Sequence, residues 1–241
     1  MFFKSKTYTA IILTCLISVS AYSSVEWSEA KQKIYEEITS THTPLTSYTT
    51  ARKYLFGAIH LKQDERGHYV EDVYCAKTIR NNVGEMRIPD HNVINCEHTW
   101  PQSRFSSAAP KSIQKSDLHH LYPTDSRANS SRGNSKFGEL ANPESLSNCG
   151  ISSKGDIAGN GARGFEPPKE HKGNVARALF YFSIRYKIEI VDYEEMYLRQ
   201  WNYEDPVDDA EMKRNNIVES VQGNRNPFID DPSLMEMISD F

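Results

Sequence analysis

A mixed α+β, helix-rich single domain is the fold class this chain predicts, and three observations carry that expectation. Apolar residues recur at helical spacing toward both ends of the chain. Between them lies a stretch of β-type residues with no helical face. The 241 residues are 38% hydrophobic and 25% charged, which suits one globular unit with a sizeable core.

The first element is expected to lie outside the fold. Lys4 and Lys6 form a basic start, Tyr8 to Val19 is apolar, and Ala21-Tyr22-Ser23 offers small residues for cleavage. This pattern predicts a signal peptide over residues 1–23 and a single domain over 24–241. The apolar run is short for a bilayer span, so no membrane partner is expected once the leader is gone. The expected destination is the periplasm or the medium, and the expected state is a monomer. Beyond the leader stand Cys75, Cys96 and Cys149. In an oxidising compartment they allow one disulfide and one free thiol, with all three pairings open.

Val25 to Ser40 places Trp27, Ala30, Ile34 and Ile38 at helical spacing. Ser47 is the expected cap of a second helix that carries Tyr48, Ala51, Leu55 and Ile59 on one face. His68 to Ile79 reads as a strand or a strand pair. Pro89-Asp90 marks a turn, and Val93 to Cys96 a short strand that ends near Glu97 and His98. Ser103 to Ser116 is polar and expected to be loop. A short helix should run from Pro123 to about Ser131, with Thr124 as its N-cap and Gly133 as its stop. On that helix Asp125 and Asn129 share a face. Residues 133–172 are rich in Gly, Asn, Ser and Pro and read as long loop with short strands at most. Residues 173–187 are the clearest helix, striped by Val175, Leu179, Phe182 and Tyr186. Further helices are expected near 193–201 and 207–221, the latter stopped by Gly223.

Charge is uneven. The formal net value is −4, or about −6 without Lys4 and Lys6. From Arg104 to Arg177 eleven Lys and Arg face seven Asp and Glu; from Glu189 to Phe241 four face fourteen. A basic middle and an acidic end fit a polyanion docked on one face. Solvated surface charge accounts for the counts equally well.

Two segments concentrate the chemistry: Asn95-Cys96-Glu97-His98-Thr99-Trp100-Pro101-Gln102-Ser103-Arg104, and Asp117 to Asp125 followed by Asn129. His98 is a candidate general base, since imidazole titrates near neutrality. Glu97 and Asn129 offer hard oxygens, suited to Mg²⁺ or Ca²⁺. Arg104, Arg127 and Arg132 can hold phosphate by forked hydrogen bonds, and His119 is a further candidate for substrate contact. A base, a hard cation and arginines are the parts that phosphodiester hydrolysis needs. A Glu-His pair alone is more often plain surface.

Those segments, with Phe137-Gly138-Glu139, Gly164-Phe165-Glu166-Pro167-Pro168, Gly173-Asn174-Val175-Ala176-Arg177-Ala178 and Gln222 to Phe228, resemble the bacterial endonuclease I family over about Leu45 to Phe228. The chain looks most similar to the secreted Bacillus-type extracellular ribonuclease branch. The resemblance implies a ββα-metal, or His-Me, finger. In such a finger a histidine follows a strand and an asparagine projects from the next short helix toward one divalent cation. Carried over, His98 is the expected general base and Glu97 and Asn129 the expected ligands of Mg²⁺, with Ca²⁺ or Mn²⁺ as alternatives. The implied activity is sequence-nonspecific endonucleolysis of RNA, DNA or both, leaving 5′-phosphorylated oligonucleotides. Periplasmic members carry a cysteine-rich insertion with a phosphate-binding arginine, and no residue of this chain aligns with it. The rival readings are a metal-dependent phosphoesterase of small substrates and a nucleic-acid-binding protein without catalysis.

Overall fold

A computed structural model describes residues 29–147 and 149–241. The expected leader at 1–23 lies outside the described residues, as does Trp27. Among the described residues no helix is long and apolar enough to cross a membrane.

The chain opens with helix α1, residues 29–41, which buries Ile34 and Ile38. Helix α2, Tyr48–Tyr54, is capped by the Ser47 hydroxyl, which accepts from the Thr50 amide. It runs into a wider π turn, Leu55–Ile59. The strand pair expected over 68–79 is a three-stranded antiparallel sheet, β1 (Lys62–Asp64), β2 (Gly67–Glu71) and β3 (Thr78–Ile79).

At the centre is a two-stranded antiparallel ribbon followed by a helix: β4 (Ile94–His98), β5 (Leu121–Asp125) and α4 (Ser126–Arg132). Here the sequence-based reading needs correction. Leu121 to Asp125 is strand, not helix, so Thr124 is not the cap. Asp125 is, accepting from the amides of Arg127 and Ala128. The Thr124 hydroxyl instead donates to buried Asp72, 3.1 Å away. Pairing with β4 overrides the local Pro-Thr-Asp helix signal, and a two-stranded ribbon tolerates Pro123, which has no N–H to offer a ladder. Gly133 does end α4, at φ 58°. The loop between the strands also holds more order than expected: a helix α3, Lys111–Ser116, and a 3-10 turn at Leu118–His120.

Residues 133–172 are the larger miss. They build a four-stranded sheet of β6 (Lys136–Phe137), β9 (Arg163–Glu166), β8 (Cys149–Asp156) and β7 (Glu144–Leu146), in that order. Gly138, Gly155 and Gly164 are places of close approach. A Cβ on Gly164 would lie 2.3 Å from Ile157, so glycine here marks tight packing rather than looseness. Cys75 and Cys149 form the disulfide, which ties the β2–β3 connection to β8; Cys96 is free and buried.

Three helices close the domain: α5 (Lys172–Tyr186), α6 (Asp192–Glu204) and α7 (Asp209–Gln222), with a short α8 (Pro227–Asp230). The expected stripe of α5 is buried, but so is most of the rest of the helix, Arg177 included. It is the spine of the main core, whose other members include Trp100, Phe137, Phe165 and Trp201. Gly223, at φ 80°, terminates α7 as expected.

Candidate active site

The site grows from the ribbon's pairing. Alternation along β4 sends Asn95 and Glu97 to one face and Cys96 and His98 to the other. Helix α4 meets the first face at two points one turn apart. Asn129 Nδ2 donates to Asn95 Oδ1 at 2.5 Å, and Arg132 Nη1 donates to Glu97 Oε1 at 2.8 Å. Glu97, His98 and Asn129 then line one pocket of about 280 Å³, together with Cys96, Pro101, Gln102, Ser103, Gly133 and Asn134.

His98 is nearly buried, and its ring is held on several sides. Tyr48, Phe105 and His120 pack around it at centroid distances of 5.4, 6.3 and 5.3 Å. Nε2 lies 3.2 Å from the Lys115 carbonyl. A carbonyl can only accept, so Nε2 carries the proton and Nδ1 carries the lone pair. The Gln102 amide donates to Nδ1 from 3.4 Å. Burial and the neighbouring His120 hold His98 well below the usual imidazole range, so the ring is neutral at neutral pH.

Glu97 is 1% exposed. The Tyr74 hydroxyl donates to Oε1 at 2.9 Å, the same oxygen that Arg132 contacts. Among the described residues Oε2 has no donor. Burial pushes the carboxyl up, against the opposing pull of Arg132 and Tyr74. Asn129, which lines the pocket, turns its NH₂ toward Asn95 and the Cys96 carbonyl, at 2.5 and 3.4 Å, and its Oδ1 has no donor among the described residues. Two hard oxygens without donors thus share a pocket with an imidazole lone pair. No cluster of three or more His, Cys, Asp or Glu fit for a metal occurs among the described residues. Such a site suits a hard cation that keeps much of its own water, and not zinc.

The arginines divide. Arg132 is 1% exposed and spends its fork on Glu97, the His98 carbonyl and the Thr99 carbonyl. It holds the site together from behind and offers phosphate nothing, contrary to its sequence-based assignment. His119 is corrected likewise: it is wholly buried against Tyr181, with Nε2 on the Asn224 carbonyl at 3.1 Å. His120 is also wholly buried, on the Gln114 carbonyl. Tyr181 and Phe182 of α5 pack on the two rings and keep them from water. Arg104 lies over Trp100 and 3.7 Å from Glu194, which also pairs with Lys136 at 2.7 Å. Arg127 is exposed on α4.

Sequence reasoning missed Tyr74, Asn95, Gln102 and Glu194. Asn95 was legible, since it sits two residues before Glu97 on the same strand face. Tyr74 and Glu194 arrive from distant segments and carry no local signal.

Comparisons with known proteins identify the family. The family model described as Endonuclease I matches residues 27–233. The extracellular ribonuclease of Bacillus subtilis (strain 168) is 37% identical over 162 residues, covering 60% of this chain and 53% of the relative. That of Bacillus amyloliquefaciens is 37% identical, with the same coverage of 60% and 53%. An extracellular deoxyribonuclease of Aeromonas hydrophila is 29% identical over 116 residues, covering 47% and 48%. Each match spans about half of the relative's own length. With most of its length inside the family model, the chain belongs to the endonuclease I family, a family of metal-dependent nucleases.

Proposed function

We propose that residues 24–241 are a secreted endonuclease domain that cuts RNA and DNA without sequence preference and leaves 5′-phosphorylated oligonucleotides. The observation that carries this reading is the His98 lone pair facing a pocket shared with the free oxygens of Glu97 and Asn129. The family's nucleases and the names of the extracellular relatives support the substrate class and the destination. The Cys75–Cys149 disulfide and the leader-like start support export.

Glu97 Oε2 and Asn129 Oδ1 would hold a divalent cation of the Mg²⁺ type, with Ca²⁺ or Mn²⁺ as alternatives. Bound there, the cation supplies positive charge that offsets the charge developing on the phosphate and the leaving oxygen. The residues do the rest. His98 Nδ1 takes the proton of the attacking water, which displaces the long 3.4 Å contact of the Gln102 amide, and the Lys115 carbonyl keeps the ring in the tautomer that can do so. Burial keeps that ring neutral and ready to accept. Arg132 and Tyr74 fix Glu97 by one oxygen and so present the other. Arg127, exposed on α4, and Arg104 and Lys136, which share Glu194, are the cations assigned to the backbone of a nucleic acid. His119 and His120 are too buried to compete for the role of base.

The test is incubation of purified protein with plasmid DNA and total RNA, with Mg²⁺ and with EDTA, alongside His98→Ala. Native protein should degrade both substrates only with metal. His98→Ala should lose roughly two to four orders of magnitude of turnover while still binding nucleic acid. Near-native turnover by a folded His98→Ala would overturn the assignment of the base. Undiminished cleavage in EDTA would overturn the cation.

A further inference from the structure

Asn129 can serve as a ligand only if its amide points the right way. An asparagine side chain has two flips of nearly equal shape: one presents oxygen to the pocket, the other presents NH₂. The NH₂ flip would turn donors toward a cation and abolish the site. A backbone acceptor decides between the flips, and the flip of Asn95 follows from it. The Cys96 carbonyl, 3.4 Å from Asn129 Nδ2, is backbone and cannot donate. Asn95 Oδ1, at 2.5 Å, makes the shorter contact. Asn95 is half-buried on β4, and its register partner is Thr124 on β5. It therefore meets Asn129 as a side chain anchored to the ribbon.

From this geometry we infer that Asn95 is a positioning residue for the cation site: its carboxamide oxygen locks Asn129 in the flip that turns Oδ1 to the pocket. This deepens the proposed function and rests on Asn129 and Glu97 being ligands. The same pairing fixes where α4 crosses the ribbon, with Asn95–Asn129 at one turn and Glu97–Arg132 at the next. Partners behind a metal ligand commonly govern affinity by about 10- to 100-fold when removed. Asn95 Oδ1 is such a partner, provided by the residue two before Glu97 on the same strand.

The experiment is calorimetric titration of the intact protein with Mg²⁺ and with Mn²⁺, paired with thermal melts. The variants are Asn95→Leu, which removes the acceptor, and Asn95→Asp, which keeps it. Asn95→Leu should weaken both cations by about 10- to 100-fold, and Asn95→Asp should bind at least as tightly as native protein. Asn95→Ala takes the place of Asn95→Leu if the latter does not fold. Native affinity in a folded Asn95→Leu, or equal loss in both folded variants, overturns the inference. Asn129→Ala and Glu97→Gln run in parallel. Native affinity in both of those sinks the ligand assignment itself, a failure distinct from one confined to Asn95.

Discussion

Two buried Arg–Glu pairs in this molecule have the same composition and opposite uses. Arg177 and Glu211 are 0% and 1% exposed at their side chains, Arg132 and Glu97 1% and 2%. The Arg177 fork meets both oxygens of Glu211, at 2.8 and 2.6 Å, and its remaining nitrogen reaches Asn202 and the Asp205 carbonyl. That pair is sealed, and it pins α5 to α6 and α7. Arg132 meets only Oε1 of Glu97, and Tyr74 takes the same oxygen. Its Nε has no partner among the described residues. A carboxylate held by one oxygen keeps a free lone-pair face in a low-dielectric pocket, where a cation gains most. Full satisfaction of a buried pair serves architecture; in the proposed site, incomplete satisfaction leaves an oxygen for a cation.

The largest effect expected from that contrast is on the sealed pair. Glu211→Ala strands the Arg177 charge and should cost roughly 3–5 kcal/mol of stability. Denaturant unfolding measures it, and a loss under about 1 kcal/mol would contradict a sealed pair. Glu97→Gln should behave otherwise. It keeps an oxygen for Tyr74 and Arg132, so stability should fall by only about 1–2 kcal/mol. Turnover and Mg²⁺ affinity should fall at least about 10-fold, because the free carboxylate oxygen is gone. Equal stability losses in the two variants would erase the distinction.

Arg132→Lys is the next step down. A single ammonium cannot span Glu97 and the carbonyls of His98 and Thr99, so about 1–3 kcal/mol should be lost. Activity should fall with it, through a loosened Glu97. Unchanged activity in a destabilised Arg132→Lys would make Arg132 purely structural.

The most gradual expected effect is acid sensitivity on the sealed side, because it is spread over several pH units. Burial, then Arg214 and Arg177, push His171 down to about 3. The unfolded chain takes up a proton near pH 6.5 that the folded one refuses. Stability is therefore whole above about pH 6.5 and declines as pH falls toward 3, by no more than about 1.4 kcal/mol per unit for this group. His171→Phe should flatten part of that slope in melts taken from pH 7 to 4. An unchanged slope would place the acid loss at other groups, such as His119 and His120, each pushed down to about 4 by burial.

By itself the sequence determined the parts and much of the framework. Helical periodicity, the Ser47 cap and the Gly133 and Gly223 stops were readable because they depend on neighbours within a turn or two of chain. Glu97, His98 and Asn129 were picked out as motif residues, and the fold sets them around one pocket. Tertiary structure decided what each part faces. Leu121–Asp125 became a strand because β4 supplied its hydrogen bonds, and 133–172 became a sheet because its own strands pair with one another, which offsets what its glycines cost locally. Only the fold could spend Arg132 on Glu97, hide His119 behind Tyr181 and choose Cys149 as the partner of Cys75. Burial and hydrogen-bond partners are set by residues far apart in the chain, and local sequence patterns carry no record of them.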